Sequence, residues 1–142
     1  MKNIIFLMLL SSVCLVACDG VFDNDDCTNC ENVVCTLELR TISITVEKTN
    51  GDPVELKSHK VYYTKSGKDV FDFNESEDRF MAPKSYAIAS DNILDKLDCD
   101  GTSITFEYSL DGKTFVKEEF LVGKDCCHIQ WRDEKEPKIV IE

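Results

Sequence analysis

From Leu37 onward the chain alternates apolar and polar positions. Ile42, Ile44 and Val46 interleave with Thr41, Ser43, Thr45 and Glu47, the period of a strand with one buried face. Upstream, the odd positions Cys35, Leu37 and Leu39 are apolar as well. The change of parity near Arg40 predicts a bulge or a strand that crosses between sheets. Asn50-Gly51-Asp52-Pro53 is a turn, because Asn-Gly supplies positive φ and Pro53 cannot join a central ladder. Val54–Lys65 and Lys68–Phe73 read as further strands divided by Ser66-Gly67. Asn74–Arg79 is a polar loop, and Phe80–Ser90 is an extended run broken at Pro83. Asp91–Leu97 fits either one helical turn packing Ile93, Leu94 and Leu97 or an irregular loop.

The clearest hairpin lies further on. Ser103–Leu110 presents Ile104, Phe106 and Tyr108 on one face, and Asp111-Gly112 turns the chain. Thr114–Val122 returns with Val116, Phe120 and Val122 inward and Lys117 and Glu119 outward. Cys127, Ile129 and Trp131 share a parity, and Ile139-Val140-Ile141 closes the chain. Short strands separated by turn signals, with no amphipathic helix, predict an all-β fold, an antiparallel β-sandwich.

The first residues follow a different pattern. One positive charge, Lys2, precedes an apolar run from Ile4 to Ala17 that only Ser11 and Ser12 interrupt. The run is short for a bilayer span and has the layout of a secretory signal peptide. It exits through Leu15-Val16-Ala17-Cys18, which resembles the bacterial lipobox. That resemblance implies cleavage before Cys18 and lipid attachment to its thiol. Cys14 lies within the discarded run. The chain thus divides into a lipoprotein signal peptide over 1–17, an acidic tether over 18–34 and a β-sandwich domain over 35–142. The resemblance implies several acyl chains, enough to hold a protein on a membrane stably. Asp23, Asp25 and Asp26 fit an acidic export signal to the outer face, whereas Asp19 resembles an inner-membrane retention signal. The leaflet is open, with the outer membrane favoured over the inner and the cell surface as a further destination.

The stretch ISITVEKTNGDPVEL resembles the first strand and turn of the transthyretin-like and carboxypeptidase-regulatory-like β-sandwiches. An immunoglobulin-like sandwich is the alternative. The transthyretin-like family includes hydrolases of 5-hydroxyisourate that end in Tyr-Arg-Gly-Ser and use conserved histidines. This chain ends Lys138-Ile139-Val140-Ile141-Glu142 and has only His59 and His128, so that activity is not carried over.

Charge narrows the partners. The formal net charge is −11, and loss of residues 1–17 removes one lysine and no acidic residue. So acidic a surface excludes nucleic acid and repels anionic headgroups. The expected partners are the membrane, through the lipid anchor, and an envelope protein or glycan; no cofactor is expected.

Six cysteines follow Cys18: Cys27, Cys30, Cys35, Cys99, Cys126 and Cys127. An even number in an exported domain reads as disulfides. Folding at Asp111-Gly112 brings Cys99 towards Cys126, so a bond from Cys99 to Cys126 or Cys127 would clasp the hairpin base. Strand alternation places Cys127 in the core with Ile129 and Trp131, and Cys126 outside with His128 and Gln130. Cys35 is then the inward partner of Cys127, which leaves Cys27 and Cys30 as a local pair. Three chemical readings compete with bracing. Cys27-x-x-Cys30 is a redox spacing, although an acidic surrounding raises thiol pKa. Zinc could use Cys27, Cys30, His128 and another cysteine. Cys126 with His128 could form a nucleophile and base, for which the sequence places no orienting carboxylate. The expectation is a non-catalytic envelope module, with a thiol-redox or metal-handling protein as the alternative.

Overall fold

The computed structural model describes Cys27, residues 30–71 and residues 84–142. The signal peptide, Cys18, most of the tether and the Asn74–Arg79 loop lie outside the described residues. Among the described residues the chain forms seven strands: β1 (Thr41–Lys48), β2 (Ser58–Tyr63), β3 (Ser85–Ser90), β4 (Thr102–Ser109), β5 (Val116–Lys124), β6 (Ile129–Trp131) and β7 (Lys138–Ile141). A 3-10 helix, Asp91–Lys96, follows β3. None of the described helices is long and apolar enough to cross a membrane.

Two sheets pack face to face as an all-β sandwich. One has the order β3-β1-β7 and the other β2-β4-β5-β6. All neighbours are antiparallel except β1 and β7, which run parallel. The alternation seen in sequence fills the space between them. Ile44 and Val46 from β1 meet Val61, Ile104, Phe106 and Val122 from the other sheet, all fully buried. Burying each such side chain contributes roughly 1.5–3 kcal/mol.

β1 starts at Thr41, and its pairing with β3 slips between Ile42 and Ser43, the bulge that the change of parity announces. Cys35, Leu37 and Leu39 belong to no strand, because the chain before Thr41 runs beyond the end of the sheet. The turn after β1 forms as expected. Gly51 has φ of 84°, and the Asn50 carboxamide oxygen accepts the Asp52 N–H at 3.1 Å.

β2 is shorter than its pattern, since residues 54–57 lie outside the ladder. Residues 68–71 touch β2 through a single bridge, Tyr62 to Asp69, rather than forming a strand. The 91–97 ambiguity resolves as the 3-10 helix, with Ile93 and Leu97 buried. The β4–β5 hairpin has Tyr108 opposite Val116 and Ile104 opposite Phe120. Val116 is nevertheless 40% exposed, because it lies at the hairpin tip where the facing sheet no longer covers it.

The sandwich has two ends. One gathers the start of β1, the end of β3 with its 3-10 helix, the start of β4 and the end of β5. The other carries the 49–53 turn and the 110–115 hairpin tip. The six described cysteines all belong to the first end.

Candidate functional site

Three disulfides join the N-terminal segment to that end. They link Cys27 to Cys99, Cys30 to Cys126 and Cys35 to Cys127, with Cα–Cα separations of 5.8, 5.3 and 5.3 Å. All three separations suit a disulfide. Cys35–Cys127 is the pairing expected from sequence, and the other two pairings are corrections. Cys99 does not reach Cys126 or Cys127. It lies beside Gly123, where an added Cβ would come within 2.6 Å of the Cys99 carbonyl oxygen. That close backbone approach sits short of residue 126. Cys27 and Cys30 do not bond to each other, since each thiol meets a different cysteine of the domain. Both fall in the stretch that composition marks as tether, and both are covalently part of the braced unit.

Residues 125–128 are a turn rather than a strand, which overturns the alternation assigned to them. Asp125 causes it. Its Oδ1 accepts the N–H groups of Cys127 and His128, each at 2.7 Å, while its own N–H donates to the His128 carbonyl at 2.9 Å. A carboxylate that binds the amides two and three residues on enforces a turn. Cys126 and Cys127 are consequently both half-buried, and His128, expected outside, is 5% exposed.

His128 is held at both nitrogens. Nδ1 meets Asp91 Oδ2 at 2.8 Å, and Nε2 meets Thr36 Oγ1 at 2.9 Å. An ionised carboxylate only accepts, so Nδ1 carries a proton and donates it to Asp91, while Nε2 shares a hydrogen bond with the Thr36 hydroxyl, which can donate or accept. Asp91 is the hub of this end. Its Oδ2 also accepts the Arg40 N–H and its Oδ1 the Ile129 N–H, each at 2.8 Å. One carboxylate at the start of the 3-10 helix thus ties together the entry to β1, the start of β6 and the histidine. Burial pushes the Asp91 carboxyl up, but the Arg40 amide, the His128 ring and the Ile129 amide together hold it below the usual range. Asp125 behaves alike: burial raises it, and the amides of Cys127 and His128 with the Gln130 carboxamide bring it below that range.

An open cleft of about 400 Å³ lies between Cys27 and Cys30, the 3-10 helix and residues 124–126. Asp91, Asp95 and Asp125 face it, with Leu94 and the Cys30–Cys126 bond. Lys124 lines it too, its ammonium donating to the Leu94 carbonyl at 3.1 Å.

This geometry bears on each chemical reading. The redox spacing Cys27-x-x-Cys30 is divided between two separate disulfides. Zinc would need thiolates that are here bonded and a histidine nitrogen that is here engaged. Among the described residues no group of three or more His, Cys, Asp and Glu side chains is placed to hold a metal ion. Cys126 is bonded to Cys30 and offers no thiolate to His128. The carboxylate that orients His128 does exist, in Asp91, and sequence reasoning missed it because the contact joins residues 37 positions apart. Asp125 was missed too, although an aspartate placed to cap the next amides is a local turn signal.

Neither a protein-family model, nor a curated protein, nor a solved structure matches this chain.

Proposed function

We infer that the protein is an exported bacterial lipoprotein of the cell envelope, anchored through Cys18, whose transthyretin-like sandwich does binding or accessory work without catalysis. The observation that carries this reading is the set of three disulfides. Each joins residues more than 70 positions apart, and bonds of this kind persist in oxidising compartments outside the cytosol. The lipobox supplies the route to such a compartment. The resemblance to transthyretin-like domains draws support from β1 and the turn behind it, where ISITVEK is a strand and Asn50-Gly51 reverses the chain.

The binding face belongs to the end that carries no disulfide. There Leu110, Phe115 and Val116 are 40–53% exposed around a hairpin tip. Asp111 stiffens the tip, its Oδ1 accepting the N–H groups of Lys113 and Thr114 at 2.7 Å. A preformed apolar tip suits an envelope protein or glycan better than it suits a charged ligand.

The test is membrane fractionation with acyl-chain labelling in a bacterial host that processes lipoproteins. Wild-type protein should carry label and pellet with membranes. Cys18→Ala should lose both properties. An unlabelled wild-type chain, or a labelled Cys18→Ala chain, would overturn the reading.

A further inference from the structure

Ahead of β1 the chain exposes an unusual concentration of apolar side chains. Val34 is 94% exposed, Leu37 is fully exposed, Leu39 is 64% exposed and Val33 is 43% exposed. Large apolar side chains exposed this close together along the chain suit a contact with a partner or a membrane. The disulfides fix this segment on one end of the sandwich, with Cys35 held by Cys127 and Thr36 held by His128. It therefore does not fold back over the core.

The chain before it says what lies opposite. Cys27 lies nine positions after Cys18. Even fully extended, nine residues reach only about 32 Å. On the anchored reading, the disulfide-bound end must stay within that distance of the bilayer that holds Cys18. A surface tethered so closely meets the membrane at high effective concentration, so even modest apolar insertion is favoured. We propose that Val34, Leu37 and Leu39 form a membrane seat: they rest in the interfacial layer of the bilayer that carries the lipid anchor, and so hold the sandwich with its hairpin tip pointing outward. The proposal rests on the lipoprotein reading and adds an orientation to it. The chain's formal net charge of −11 disfavours anionic headgroups, so the seat suits a zwitterionic surface.

Tryptophan quenching tests the orientation. The chain has one tryptophan, Trp131, which stays in place as a common background. Full-length acylated wild-type, Leu37→Trp and Phe115→Trp proteins are reconstituted into vesicles of phosphatidylcholine brominated at shallow acyl positions. Both replaced side chains are exposed, so neither substitution enters the core. Leu37→Trp should lose most of its added emission relative to unbrominated vesicles. Phe115→Trp and wild type should keep theirs. Acylated Leu37→Trp protein that floats with the vesicles and is quenched no more than wild type overturns the seat alone. An N-terminus that carries no acyl mass in the same preparation overturns the anchor, and the seat with it.

Discussion

Asp91 and Asp125 concentrate more structure on single side chains than any other polar residues at the disulfide-bound end. Each replaces the missing regularity of its surroundings with hydrogen bonds from backbone amides. Asp91→Asn keeps the shape but turns one acceptor into a donor facing amide hydrogens. Leaving such a group unsatisfied costs about 1–3 kcal/mol, and a fall of that size is expected in urea denaturation with an unchanged slope. Acid sensitivity follows from the same bonds. Both carboxyls titrate lower in the folded chain than in the unfolded one. The unfolded state then binds more protons as the pH drops, and stability falls. The contribution is complete above the unfolded value of about 3.9 and disappears as the pH falls through the lower folded values. Asp111, held down to about 2 by the amides of Thr114 and Lys113, extends the loss to that pH. Wild type should therefore hold its stability down to about pH 4 and lose it below. Asp91→Asn should start lower and show a shallower acid limb, while an unchanged limb would remove Asp91 from the account. None of Asp91's contacts was legible in the sequence, since all reach across the fold.

At the scale of elements, what was legible depended on whether a pattern is local. The β4–β5 hairpin and the turn at Asn50-Gly51 follow from alternation and turn chemistry within a few residues, and both formed. The stretch at 125–128 has the same apparent alternation, yet Asp125 turns it, because two backbone N–H hydrogen bonds to its carboxylate outweigh a weak period over four residues. The disulfide pairings then followed the turn. Their energetic order follows from topology. Once Cys35–Cys127 is closed, Cys30–Cys126 adds only a small ring, five residues on one side and one on the other. Cys27–Cys99 adds a ring several times larger, since Cys99 lies 27 residues before Cys126. In the chain-entropy account the larger ring restrains the unfolded state more, by about 1.5 kcal/mol. Replacing Cys27 and Cys99 together by serine should lower the denaturant midpoint more than replacing Cys30 and Cys126 together. The reverse order would show that strain or lost packing, not ring size, sets the contribution.

At the scale of the molecule, the sequence made the sandwich readable because both sheets bury one face and repeat every second residue. The role of the N-terminal segment was not readable. Cys27 and Cys30 look like part of a solvated spacer by composition, and only the three-dimensional placement of Cys99 and Cys126 shows that they belong to the domain. That placement shortens the free tether and joins the two halves of the account: a route out of the cytosol and a fold that depends on leaving it. Mass spectrometry of non-reduced proteolytic peptides from the mature protein, purified from membranes, tests both halves in one measurement. It should find no free thiol, an acylated N-terminal Cys18, and cross-linked peptides joining Cys27 to Cys99, Cys30 to Cys126 and Cys35 to Cys127. Free thiols at these positions, a bond between Cys27 and Cys30, or an N-terminus without acyl chains would contradict it.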